Sequence, residues 1–305
     1  MNLINYVLLL AIGLIWGSQF FFVEWVVHTI PPVTLAASKA LLGTIMLVII
    51  QILSSGREKK ERKEEHKKIW VAYFWIALLE AVIPFFLIGW GQQRIISSIS
   101  AILIGTTPIF TIILVRLFVP DEKLNIKNLF SIIIGFIGLS ILIGPGITSV
   151  SLHNSLLGDA AILGAALSFA ASLILIKRLP PISSVLAMRN VLFIATIILI
   201  PLSLIFDAPW TIRLTLQQTI AVIVLGTVQA GIVYMLYYIL INRTGATFAS
   251  LTNYLVPLFG VILGTVFLDE HLKWSDIAAL LLILISLGVN EIKGREKEVG
   301  LKGGC

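Results

Sequence analysis

Ten apolar runs of membrane-spanning length follow one another along the chain, at about 6–27, 33–53, 70–91, 95–118, 127–144, 158–178, 182–206, 217–241, 246–268 and 275–291. A helix that crosses a bilayer needs ~20 mostly apolar residues, so these runs constrain the fold more than any motif does. Charged residues make up 12% of the 305 residues, about half the ~25% of soluble domains. A surface that water can cover cannot be built from this material. The runs are continuous rather than alternating, and barrel strands would be only ~10 residues long, so helices are expected. Pro31-Pro32, Pro180-Pro181 and GPGITS (144–149) mark turns between runs.

Orientation follows from the placement of Lys and Arg. The net charge is +6, and seven of the 22 Lys and Arg residues lie in SGREKKERKEEHKK (55–68), between the second and third runs. With the N-terminus in the cytoplasm, 17 Lys and Arg residues fall in inside loops and the tail, and three (Arg94, Arg213, Lys273) fall outside. Excess positive charge marks the cytoplasmic side, so both termini are expected inside. The basic loop is a solvated connection that can also attract anionic lipid, and nucleic acid is not an expected partner. MNLINYVLLL has no basic stretch ahead of its apolar run, so it reads as a first span and not as a removable signal. The single cysteine, Cys305, leaves no intrachain disulfide.

The chain also repeats itself. At an offset of 149, ALLEAVIPFFLIGWGQQR (77–94) falls near 225–243, so that Ala81 meets Ala230, Ile83 meets Ile232, Leu87 meets Leu236 and Arg94 meets Arg243. Pro108 meets Pro257, and DEKL (121–124) meets DEHL (269–272) after one residue of slip. Five spans per half is an odd number, so the second half must enter the membrane from the opposite side. The expected fold class is therefore all-α integral membrane, with ten transmembrane helices in two five-helix inverted-topology repeats. These would cover 1–147 and 148–291, followed by a tail at 292–305. Inverted repeats are common in secondary transporters.

With these pieces in order, the sequence resembles the drug/metabolite transporter superfamily, and within it the EamA-type ten-helix transporters. The resemblance spans nearly the whole chain. It rests on IWGSQF (15–20), SSISAILIGTTPIF (97–110), the acidic-leucine turn, FSIIIGFIGLSIL (130–142), and the second-half counterparts FASLTNYLVPLF (248–259) and DEHL. One departure is Lys39, where family members often carry arginine. Lysine keeps the charge and loses the planar fork that grips a carboxylate in two places. The resemblance implies export or exchange of small metabolites, such as amino acids and related amphipathic compounds, through a central cavity opened alternately to each side.

The candidate site residues start from Glu80. It lies near the middle of its span, where a charge costs at least ~2.5–3.5 kcal/mol on insertion scales. It either contacts a substrate amine, carries a proton, or locks two helices as a neutral acid. Pro84 frees a backbone carbonyl one turn back, near Glu80. The repeat mate of Glu80 is Gln229, similar in shape and without the charge. Lys39 and Arg189 occupy the second span of each half, and they either snorkel to headgroups or pair with Glu80 or a substrate carboxylate. Trp16 and Gln19 share a helix face and line a cavity or a packing seam beside Gly13 and Gly17. Tyr234 and Asn253 are polar groups at similar depth. Pro84, Pro108 and Pro257 are the expected hinges, and Glu122 and Glu270 fall in turns.

The four histidines form no HExxH pair, and neither GxSxG nor a P-loop occurs. An enzyme and an ATP-driven pump are therefore not expected, and no cofactor or metal is. The expected partners are a small-molecule substrate, protons, the lipid bilayer and a second copy of the chain. The competing readings are a carrier of phosphorylated or nucleotide-linked anions and a non-transporting membrane scaffold.

Overall fold

In lipid no water satisfies the backbone, so an apolar run must pair its own N–H and C=O groups, and the α-helix does this within one segment. A computed structural model of the chain describes residues 3–54, 66–118, 153–176, 178–180, 182–244, 252–282 and 284–285, with isolated helical residues between 130 and 141. Every long described element is a helix. In order they are α1 (Leu3–Glu24), α2 (Pro32–Ser54), α3 (His66–Ala77), α4 (Ile83–Gln92), α5 (Ser97–Ile104) and α6 (Thr107–Phe118). Then come α7 (His153–Ile176), α8 (Ser184–Phe206), α9 (Leu216–Gly226), α10 (Val233–Thr244), α11 (Thr252–Phe267) and a helix α12 at 274–282. Six helical stretches among the described residues are long and apolar enough to cross a membrane. Most of the fifth expected span and the end of the tenth lie outside the described residues.

Two of these six stretches are not pure α-helix. A π-helical turn, Leu78–Val82, joins α3 to α4, and a second, Thr227–Ile232, joins α9 to α10. Ile83 N–H bonds to Leu78 C=O in the first, and Val233 N–H to Val228 C=O in the second. Glu80 and Gln229 sit inside these turns. In the first turn Pro84 offers no N–H, so nearby carbonyls need other donors. Ser168 Oγ donates to Leu79 C=O at 2.7 Å, and the Tyr234 hydroxyl donates to Glu80 C=O at 3.1 Å. Wide turns of this kind occur often at functional sites.

Prolines act differently in the two halves. Pro108 sits one residue into α6, just past the break at Gly105 and Thr106 that separates α5 from α6. The carbonyl Pro108 cannot serve, Ile104 C=O, accepts instead from Thr107 Oγ at 2.7 Å. Pro257 lies inside α11, which runs on unbroken to Phe267.

Close approach holds the bundle together. α1 packs on α11 and α2 on α8, while α4 packs on α7. Gly17 brings α1 against the α11 backbone: a Cβ there would stand 2.9 Å from Val256 C=O. The α2–α8 pair is also tied by polar groups. Asp207 accepts from Thr34 N–H at 2.7 Å and Thr34 Oγ at 2.9 Å, Thr34 Oγ meets Ser203 Oγ at 2.7 Å, and Thr44 meets Thr196 at 3.2 Å. At the far end Arg189 donates to Gln51.

Candidate functional site

The two π turns face a common cavity between the helices. Its volume is about 60 Å³. α1 contributes Trp16 and Gln19, and the two π turns contribute Glu80 and Gln229. α10 adds Tyr234 and Tyr237, and α7 adds Phe169 and Leu173. Ile104, Thr107 and Val256 close it from α5, α6 and α11. Five residues singled out in the sequence thus line one space: Trp16, Gln19, Glu80, Gln229 and Tyr234.

Aromatic rings form one wall. Trp16 meets Tyr237 edge-on at 4.7 Å between centroids and Tyr234 at 6.0 Å. Tyr234 stacks on Phe85 at 6.4 Å, and Lys39 Nζ lies 4.1 Å from the Phe85 centroid. Among the described residues, Glu80 is the one formally charged residue lining the space. It is buried, and its carboxylate accepts from Ser172 Oγ of α7. No Lys or Arg among the described residues forms an ion pair with it. Its mate Gln229 is also buried. Gln229 donates to Ser18 Oγ at 3.0 Å, and its carbonyl oxygen has no partner among the described residues. The two matching walls are therefore one acidic and one amide.

Lys39 does not snorkel. It is 1% exposed, and Gln19 Oε1 accepts from its ammonium in a long contact of 3.4 Å. It stands behind Gln19, and is not a lining residue itself. The reason is geometric: α2 is wedged between α4, α8, α9 and the second π turn, which leaves the side chain no lipid-facing route. A buried cation without a carboxylate opposes folding. Lys39→Met keeps the length and removes the charge, and it should raise the Tm of the purified protein. A lower Tm would mean that Lys39 has an anionic partner.

Arg189 is half-buried, does not line the cavity, and is held by Gln51 and by Asn190 Oδ1 at 2.6 Å and 3.1 Å. It does not pair with Glu80. Asn253 lies on α11, and its side chain is outside the described residues. The sequence reading missed Ser172, Ser168, Phe169 and Tyr237. A signal for two of them existed: Ser168 and Ser172 are four apart on one face of an apolar helix, and Ser168 falls on Gln19 at the repeat offset.

The family model for the EamA-like transporter family matches residues 3–144 and again 156–290. The chain belongs to the EamA-like transporter family. It resembles "Uncharacterized transporter YoaV" of Bacillus subtilis (strain 168), with 24% identity over 95% of this chain and 98% of that protein. It is also similar to "Probable amino-acid metabolite efflux pump" of Escherichia coli (strain K12), with 24% identity over 93% of each chain. One solved crystal structure superposes with a TM-score of 0.67 at 15% identity, covering 98% of this chain and 100% of its own. At that identity the likeness speaks for the fold alone. As an EamA-like protein, this chain is a secondary transporter of small metabolites embedded in the lipid bilayer, and not an enzyme.

Proposed function

We propose that this EamA-like transporter exports or exchanges a small amphipathic metabolite carrying an amine, such as an amino acid or a related compound, by alternating access. The observation that carries this reading is the buried carboxylate of Glu80, without a cationic partner among the described residues, in a cavity walled by Trp16, Tyr234 and Tyr237. An ammonium group satisfies such a carboxylate, and ring faces attract the same cation. The carbonyl oxygen of Gln229, without a partner among the described residues, offers a further acceptor. A proton on Glu80 is the natural substitute when the amine is absent.

The organisation behind this is two five-helix units, 1–147 and 148–291, inserted in opposite senses, with both termini in the cytoplasm. Support comes from the two π turns 149 residues apart, from the double family match, and from the 17 to 3 bias in basic residues. Pro84, Pro108 and Pro257 serve as the bends about which the units rock. The name of the E. coli relative favours amino-acid metabolites over phosphorylated anions. So does the lining, in which the one charge among the described residues is negative. The test is flux in proteoliposomes of purified protein against a panel of radiolabelled amino acids, amines and sugar phosphates. Saturable counterflow of an amine-bearing compound is expected. Counterflow of sugar phosphates alone would replace this reading with the anion carrier, and no flux or binding across the panel would leave the scaffold.

A further inference from the structure

The acidic turn DEHL has a built role that the cavity does not use. Glu270, just beyond α11, reaches the first residues of α5, 173 positions away in sequence. Its Oε1 accepts from Ser97 N–H at 2.8 Å and Ser97 Oγ at 2.7 Å, and its Oε2 accepts from Ser98 N–H at 3.0 Å and from Ser98 Oγ. The carboxylate thus serves two of the orphan N–H groups at the start of a helix, where negative charge is favoured. Gly264 makes the space: a Cβ there would lie 2.4 Å from Glu270 Oε2 and 2.3 Å from Ser98 Oγ. Both serines are fully buried. Asp269, with φ 53°, turns the chain back so that Glu270 can enter.

The position of this clamp matters more than its strength. Ile104 and Val256 wall the cavity from α5 and α11. Counting along each helix at ~1.5 Å per residue, the clamp lies about 10–12 Å from those residues, toward the face opposite the basic loop. It therefore joins two helices that flank the path from the cavity to that face. We infer that Glu270, Ser97 and Ser98 form a releasable latch that seals the cavity on the face opposite the basic loop, and that its opening is a step of the transport cycle. The parts of the latch are complete: four hydrogen bonds on one carboxylate, a glycine cradle, and side chains supplied by two separate elements, the start of α5 and the turn after α11.

The experiment reads access, so it stands even if no substrate is found. The reporter is full-length protein with Cys305→Ser and Leu173→Cys, which places one thiol on α7 in the cavity wall. It is labelled by a membrane-impermeant maleimide applied to each face in sided vesicles. A minor open state is typically ~0.1–10% populated, so releasing the latch should speed labelling from the face opposite the basic loop about tenfold or more. Glu270→Gln and the double change Ser97→Ala with Ser98→Ala should both do this. The serine variant keeps the backbone cap and so guards against a folding failure in Glu270→Gln. Unchanged labelling in the serine variant, or an equal rise from both faces, would overturn the latch.

Discussion

Proteoliposomes carrying Glu80→Gln are expected to transport the amine-bearing substrate at least about tenfold, and up to a hundredfold, more slowly than the parent protein. A hydrogen bond to a charged group contributes ~1.5–3 kcal/mol, and each 1.4 kcal/mol is tenfold. The substitution is conservative for the fold. A glutamine side chain already occupies the matching π turn as Gln229, and the amide oxygen can still accept from Ser172 Oγ. The Tyr234 bond goes to the backbone carbonyl and does not change. A thermal melt should therefore show a folded protein while counterflow collapses. A pH gradient across the vesicle should also cease to drive flux, because the variant cannot take up a proton at this position. If Glu80→Gln transports at the parent rate and still responds to the gradient, Glu80 ties helices together and does nothing else.

The second large effect is expected at Gly260. A Cβ on this residue would stand 2.3 Å from Ala101 Cβ of α5 and 3.4 Å from Gly17 C=O of α1. Carbon atoms in contact prefer ~3.5–4.0 Å. Ala101 Cβ is fixed to its backbone and has no rotamer to give way, so α5 and α11 must separate. Gly260→Ala should cost ~1–3 kcal/mol, read as a lowered Tm in detergent, and Gly260→Val should not yield monodisperse protein. The cause can be checked by a second change. Ala101→Gly removes the atom that clashes, and in the double variant it should restore most of the lost Tm, as coupled neighbours do. An additive loss would show that Gly260 matters for some reason other than this contact.

The sequence reached the cavity through one route. Glu80 and Gln229 were legible as a pair because the offset between the halves is constant, and a carboxylate at mid-span has few explanations. Trp16 and Gln19 followed from helical spacing. What was not legible is contact between distant parts of the chain. Glu270 reads as an ordinary turn acid until α5 is seen to start against it. Lys39 reads equally as a snorkelling residue, and only the packing of α2 among four neighbours decides otherwise. Ser172 is one hydroxyl among many in apolar helices, and its function depends on Glu80 being across from it. The π turns leave no compositional mark beyond Pro84, and the second of them has no proline in the matching place.

The ties between α2 and α8 have a mechanical consequence. Thr34 and Gln51 are 17 residues apart, about 25 Å along a helix at ~1.5 Å per residue, most of the ~30 Å hydrocarbon thickness. With Asp207 gripping one end, Arg189 the other and the Thr44–Thr196 contact between them, the two helices act as a single beam across the bilayer. A beam pinned at three heights cannot shear along its length without breaking a tie. Under alternating access, spectroscopic labels placed at the two ends of α2 and α8 are expected to keep their spacing while labels on α5 and α11 change theirs.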